Sequence, residues 1–254
     1  LQNHISEMWN LMQFANPNLL GSFNEFNERF ILPIERDHDK QRQQQLRRII
    51  SPFILRRTKS DVLSELPQKT EILRKVDLSP EEWAFYDNIR EKALAVLEVN
   101  ESTAIQTLAE ITRLRQAACN ARLINPNVKV PASKMEAFLQ LAEELGESNH
   151  RALVFSQFTS HLALVRQELD ARGIEYLYLD GATAAKERAR LVEEFQHGDM
   201  PLFLISLKAG GLGLNLTAAD YVIHLDPWWN PAIENQATDR TYRIGQQRPV
   251  TVYR

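Results

Sequence analysis

Two arginines, Arg240 and Arg243, stand three residues apart in Gln236-Ala-Thr-Asp-Arg240-Thr-Tyr-Arg243-Ile-Gly-Gln246. On a helix that spacing sends both guanidinium groups from one face. Two planar, always-charged forks suit a polyphosphate that gains charge during phosphoryl transfer. An isolated Arg-x-x-Arg is more often a solvated helix face than a catalytic element. Here it follows Asp226-Pro-Trp-Trp-Asn-Pro231 and a glycine-rich turn, Gly210-Gly-Leu-Gly213, and that order of segments favours the phosphate reading. Glycines there let backbone N–H groups approach a phosphate or sugar closely, although such a turn also solves a sharp strand-to-helix reversal. It is not a Walker A loop, because no lysine followed by Ser or Thr closes it. The sequence contains no G-x-x-x-x-G-K-[ST] and no Asp-Glu box, so the parts that hold Mg²⁺ and the β- and γ-phosphates are not in it.

Other chemistries find less support. His38 lies between Asp37 and Asp39 without further ligand spacing and reads as a solvated loop, so no metal site is predicted. A single cysteine, Cys119, excludes an intrachain disulfide and a cysteine metal cluster, and fits a reducing compartment. No nucleophile elbow or Cys/His pair points to covalent hydrolysis. Basic residues cluster once, at Arg42, Arg47, Arg48, Arg56, Arg57 and Lys59, continuing to Lys69, Arg74 and Lys75. That run is either a solvated helix face or a phosphate-facing surface.

The elements that must position these residues fall into two grammars. From residue 1 to about 130 the pattern is helical, with Leu11, Phe14, Phe23, Phe26, Phe30 and Ile31 at spacings of three and four. Pro52 forces a break or a helix start after Leu46, Ile49 and Ile50. Ser79-Pro80-Glu81-Glu82 has the form of a helix N-terminus, opening a helix through Trp83, Tyr86, Ile89 and Leu94. A second amphipathic run covers roughly 105–118, and Asn125–Pro131 reads as a linker. This half should be almost wholly helical. After Pro131, short apolar runs at 152–156, 176–179, 202–206 and 221–225 alternate with helical stretches at about 134–145, 159–172 and 184–197. This βαβα order predicts a parallel sheet with helices on both faces. Ligands gather at the carboxyl ends of such strands. Those ends carry Ser156-Gln157, Asp180-Gly181, Ser206 to Gly213 and Asp226-Pro227.

With 44% hydrophobic and 25% charged residues, the 254-residue chain has an ordinary globular composition. Its net charge of −3 means that any nucleic-acid contact must come from a local basic surface. No apolar run approaches membrane-span length and Leu1-Gln-Asn-His4 is no signal peptide, so neither a membrane nor secretion is expected. The first and last residues interrupt a helix-like and a strand-like pattern, which reads as a fragment of a longer protein.

From end to end the sequence resembles the SWI/SNF-type, helicase-like ATPases of helicase superfamily two. Asn3 to Phe14 with Leu20-Gly-Ser22 resembles the stretch directly after motif III at the end of the first RecA-like lobe. Leu46 to Lys59 with Leu66-Pro-Gln-Lys69 resembles the segment between lobes. Val154-Phe-Ser-Gln-Phe158 is similar to motif IV, and Leu179-Asp-Gly-Ala-Thr183 with Arg188 to the block after it. Ser206 to Asp220 is similar to motif V and Gln236 to Gln246 to motif VI, while Trp228-Trp229 is characteristic of this family. One departure is Thr241-Tyr242, where Ala-His is frequent; Tyr242 cannot carry charge at neutral pH as His can.

The resemblance implies an α/β, RecA-like second lobe over 131–254, preceded over 1–130 by a helical segment from the end of the first lobe through the inter-lobe region. It implies that Arg240 and Arg243 act as arginine fingers on ATP, with Gly211, Gly213 and Gln236 near the nucleotide. Ser156, Gln157, Lys208 and Ala209 would contact the phosphodiester backbone of double-stranded DNA. Mg²⁺ would be held mainly by the first lobe, itself a partner of this one. A DNA-bound protein is the implied target, in the nucleus of a eukaryote or the cytoplasm or nucleoid of a prokaryote. Two rival readings are a non-catalytic DNA-binding or protein-docking module and the lobe of an RNA helicase.

Overall fold

The computed structural model describes residues 5–55, 66–99, 103–210 and 213–254. The chain forms two compact units, Leu1–Ser64 and Glu65–Arg254. In the first, helices Ile5–Ala15 (α1), Phe23–Phe26 (α2), Leu32–Glu35 (α3) and Lys40–Ile50 (α4) enclose a core of Met8, Met12, Phe26, Phe30, Leu46 and Ile50. A π-helical turn, Asn27–Ile31, joins α2 to α3. Ser22 and Glu25 close a reciprocal capping box at the start of α2, satisfying two N–H groups that the helix leaves bare. Of the expected apolar set in α1, Leu11 and Phe14 face outward, Phe14 at 90% exposure; Met8 and Met12 are buried instead. Pro52 begins no long helix and sits in a single 3₁₀ turn, Ser51–Phe53.

The second unit is built on one six-stranded parallel sheet. Its strands are Lys69–Ile72 (β1), Ala152–Ser156 (β2), Tyr176–Leu179 (β3), Leu202–Ser206 (β4), Tyr221–His224 (β5) and Val250–Tyr253 (β6), in the spatial order β1-β6-β5-β2-β4-β3. Alternation along β2 sends Ala152 and Val154 to one face, against Met135 to Leu145 of helix Ser133–Glu147 (α7) and Leu162, Val165 and Leu169 of helix Thr159–Arg172 (α8). Leu153 and Phe155 point to the other face, toward Leu191 and Phe195 of helix Ala185–His197 (α9) and Ala237 of helix Pro231–Thr238 (α11). Burial on both faces is why β2 and β4 are apolar throughout instead of alternating.

β1 corrects the expectation of a wholly helical first half. It lies before Pro131 yet pairs in parallel with β6, Lys69 opposite Val250 and Ile72 opposite Tyr253. Without it β6 would present a bare row of N–H and C=O groups. The ladder continues with Arg74 N–H donating to Arg254 C=O at 2.8 Å, and the Arg254 guanidinium reaches Glu71 at 2.8 Å. The compact units accordingly divide between Ser64 and Glu65, upstream of the change in sequence pattern near residue 131.

Helices Pro80–Val99 (α5) and Ala104–Cys119 (α6) belong to this unit. Ser79 caps α5 as its sequence predicts: Glu82 N–H donates to Ser79 Oγ at 3.2 Å, and Glu82 Oε2 accepts from Ser79 N–H at 2.8 Å. The Glu82 carboxylate also accepts from Ser133 N–H at 2.8 Å and from Ser133 Oγ, so one side chain caps α5 and holds the start of α7.

Candidate active site and nucleic-acid interface

The chain runs outward from β2 to the edge strand β3, returns through β4 beside β2, then crosses to β5 on the other side. The strand ends at β2, β4 and β5 therefore flank the point where the sheet order reverses. Ser156 pairs in register with Ser206, which places Gln157 beside the short helix Leu207–Gly210 (α10). Of the four residues expected at a DNA backbone, Lys208 alone presents an exposed side chain; Ala209 is buried, and so is Ser156 at 1% exposure.

Asp226, two residues past β5, bonds to the β2 end. Its Oδ1 accepts from Gln157 N–H at 2.9 Å, and its Oδ2 accepts from Ser156 Oγ and lies 3.5 Å from His161 Nδ1. Arg115, on α6, donates to Gln157 Oε1 at 2.9 Å and to Pro227 C=O at 2.7 Å, with its guanidinium 4.8 Å from the Trp228 ring centre. Arg115 thus ties the helical segment to motifs read only from the sheet. Sequence reasoning missed it, although Arg115 and Cys119 share a helix face at i, i+4 and both reach this end. The Gln157 Nε2 amide is buried without a protein partner.

Cys119, His161 and Asp226 form a buried group whose donor atoms all lie within 4.8 Å of one another. Burial, and secondly the Asp226 charge, push the Cys119 thiol up to about 12; Lys134 and Arg115 oppose this. Nearby, His224 is driven down to about 4 by burial and then by Arg254, so it is neutral at pH 7, its Nε2 3.2 Å from Thr238 Oγ1.

The arginine pair is held differently. α11 ends at Thr238, so Arg240 and Arg243 sit on successive turns and not on a helix, a correction to the reading from spacing. Tertiary bonds pull the chain out of the helix. Leu216 N–H donates to Arg240 C=O at 3.0 Å, and Gln246 Nε2 donates to the carbonyls of Ala219 at 2.8 Å and Thr217 at 3.1 Å. Arg243 Nη1 donates to Leu214 C=O at 3.1 Å, directly after Gly213, whose φ of +72° lies in the left-handed region that favours glycine. Gly213 and Arg243 therefore converge. Gln236 is half-buried on α11, and Gly211 lies outside the described residues. Burial and then the neighbouring charge of Arg243 lower the proton affinity of Arg240, with Asp239 opposing.

The basic run splits between the units. Arg42, Arg47 and Arg48 are exposed on α4, and Lys69, Arg74 and Lys75 line the β1 edge. Arg56, Arg57 and Lys59 lie outside the described residues.

A doubly wound parallel sheet with a glycine turn and an arginine pair at its carboxyl edge defines a RecA-like helicase lobe. The helicase conserved C-terminal domain model matches residues 133–245, and the SNF2-related domain model matches residues 1–123. YwqA of Bacillus subtilis (strain 168), named a candidate ATP-dependent helicase/translocase, is 38% identical over 266 residues, covering 100% of this chain and 29% of that protein. The ISWI chromatin-remodeling complex ATPase CHR17 of Arabidopsis thaliana is 35% identical over 268 residues, covering 100% of this chain and 25% of its own length. The Sulfolobus solfataricus SWI2/SNF2 ATPase core in complex with dsDNA superposes with a TM-score of 0.64 at 33% identity, over 99% of this chain and 54% of that one. The chain belongs to the SWI/SNF-type helicase-like ATPase family and carries its C-terminal RecA-like lobe with the preceding helical segment. It spans between a quarter and three-tenths of these curated relatives.

Proposed function

We propose that this chain is the second-lobe half of an ATP-driven translocase on double-stranded DNA, supplying arginine fingers and part of the DNA grip. The observation that carries this reading is the arginine pair. Two cationic forks lie close together and partly withdrawn from water, and one is anchored beside the Gly213 turn. Such an arrangement suits charge that develops on a transferring phosphoryl group. The relatives support it, being named ATP-dependent helicase/translocase and remodelling ATPase, and a structural relative is an ATPase core with dsDNA.

ATP is the substrate here, and this chain offers cations for its phosphates but no P-loop. Among the described residues the one group of three metal-capable side chains includes a thiol and an imidazole, a poor donor set for Mg²⁺, which takes oxygen ligands. No step is therefore assigned to Mg²⁺ on this lobe. Closure of the lobes would bring Arg240 and Arg243 to the nucleotide, and reopening would shift the DNA grip. In that grip Lys208 meets a phosphate, while Ser156 and Gln157 brace the strand end through Asp226.

The test uses a protein containing both lobes. Arg243→Ala should retain DNA binding yet lower DNA-stimulated hydrolysis by roughly 10³–10⁵, less if Arg240 shares the role. Arg243→Lys should restore little, since a point charge does not reproduce the planar fork. The 254-residue chain alone should not hydrolyse ATP. A variant with near-normal turnover per folded molecule would remove the finger assignment.

A further inference from the structure

We propose that Cys119, His161 and Asp226 form a zinc site that fastens the helical segment to the carboxyl end of the sheet. The three come from separate parts of the fold: Cys119 ends α6, His161 lies in the first turn of α8, and Asp226 follows β5. All three are buried, at 6%, 2% and 4% exposure. Such a grouping cannot be read from ligand spacing, since 42 and 65 residues separate the members.

Two observations point to a cation. The donor atoms lie within 4.8 Å of one another, and His161 Nδ1, facing Asp226 Oδ2 at 3.5 Å, is buried with no hydrogen-bond partner. A buried imidazole nitrogen without a partner costs free energy unless something fills the gap. Donors around one tetrahedral Zn²⁺ at roughly 2.0–2.3 Å stand about 3.3–3.8 Å from each other. The His161–Asp226 edge already has that length, and rotation of the Cys119 side chain would close the rest. Each Asp226 oxygen accepts one protein hydrogen bond, which leaves a lone pair on Oδ2 for a metal. Those bonds are the outer contacts that aim a ligating carboxylate.

The donor set selects the ion. Thiolate, imidazole and carboxylate together suit Zn²⁺, with water in the fourth position, and disfavour Mg²⁺ and Ca²⁺. On binding, the S–H bond of Cys119 breaks, a Zn–S bond forms and one proton passes to solvent. A cavity of about 180 Å³, lined by Met135, Phe138 and Pro227 among others, borders His161. The site deepens the role of Arg115: two anchors, one cationic and one metallic, would hold α6 against the Asp226 end.

The experiment strips the chain with a chelator, returns Zn²⁺ and measures metal bound after desalting, affinity by competition with a chromophoric indicator, and the melting midpoint. One zinc per chain and a raised midpoint are expected. Cys119→Ser and His161→Gln should each weaken zinc by more than the roughly 10–100-fold that outer-shell partners contribute, while exposed His197→Gln should change nothing. Co²⁺ in place of Zn²⁺ should give a thiolate-to-cobalt charge-transfer band in the unsubstituted chain, a readout that survives if Cys119→Ser fails to fold. Substoichiometric zinc, a cobalt spectrum without the thiolate band, or an equal loss in His197→Gln would overturn the site and leave a metal-free Cys–His–Asp cluster. None of these readouts depends on ATP hydrolysis.

Discussion

The Asp226 end of the sheet and the Arg240–Arg243 turn lie on the same lobe but are finished in opposite ways. Around Asp226 the Ser156 hydroxyl, the Gln157 N–H and Oε1 and the Arg115 guanidinium bond inward, and the carboxylate is 4% exposed, while Gln157 Nε2 and His161 Nδ1 keep no protein hydrogen bond. At the turn, like charges stand together, and Arg243 is held by a backbone carbonyl. A network like that around Asp226 fixes geometry, because removing the carboxylate at its centre strands a donor. Burial and the neighbouring Arg243 charge at the turn weaken the hold of Arg240 on its proton, and Asp239 opposes them. The comparison teaches that charge and burial alone do not separate scaffold from site. What separates them here is the sign of the neighbours: Asp226 is met by hydrogen-bond donors, whereas Arg240 lies beside a second cation.

Paired substitutions can break that contrast. Arg243→Ala carries the largest expected effect, on hydrolysis in the two-lobe protein, and should leave the melting midpoint of this chain nearly unchanged. Asp226→Ala should do the opposite. It strands the Gln157 N–H, an orphan worth roughly 1–3 kcal/mol, while the Ser156 hydroxyl keeps Phe158 C=O as an acceptor at 3.2 Å, so stability should fall by about 1–3 kcal/mol even in chelator. Denaturant melts of the two variants side by side decide it. If Arg243→Ala is the less stable protein, the turn is scaffold and the contrast collapses.

Much of the lobe was legible because burial on both faces writes continuous apolar runs. Ala152–Ser156, Tyr176–Leu179 and Leu202–Ser206 are strands at the bounds their sequences suggest, and Ser79-Pro80 opens its helix as expected. β1 was not legible. Lys69-Thr-Glu-Ile72 is short and exposed, and its partner lies some 180 residues away, so no local pattern marks it. The end of α11 was hidden for a related reason. No proline or glycine stops the helix at Thr238; the bonds from Leu216 and Gln246 do. The arginines were found by type and spacing, and the wrong local geometry was inferred for them. Arg115 and the Cys119–His161–Asp226 group were missed because only the tertiary fold assembles them.

A middle-sized effect sharpens the DNA side. Lys208 is exposed at the β4 end, while Ser156 and Ala209 are buried. Lys208→Ala should therefore weaken binding about equally for unrelated duplexes and reduce the slope of log K against log salt by about 1, the share of one phosphate contact. Filter binding or fluorescence anisotropy at several salt concentrations reads this directly. An unchanged slope would move the grip elsewhere, the exposed arginines of α4 being the next surface to test.

The smallest effect probes how the helical segment is attached. Burial raises the Glu82 carboxyl, but hydrogen bonds from Ser133 and Ser79 outweigh it and hold the group below its ordinary 4.5. Because the folded value lies below the unfolded one, the stabilisation is fully present above about pH 4.5 and is lost as pH falls through the folded value. Glu82→Gln keeps an acceptor for the Ser79 cap but loses the charge. At neutral pH it should cost about 0.5–1 kcal/mol, the low end of the capping range, since the group is partly solvated. Melts of both proteins from pH 7 downward should show the gap constant to about pH 5 and closing below pH 4.5, where the wild-type carboxyl takes up its proton. A gap that persists into acid would mean that shape, not charge, joins α5 to α7. The Asp226 end, with Arg115, would then be the main electrostatic tie between the helical segment and the sheet.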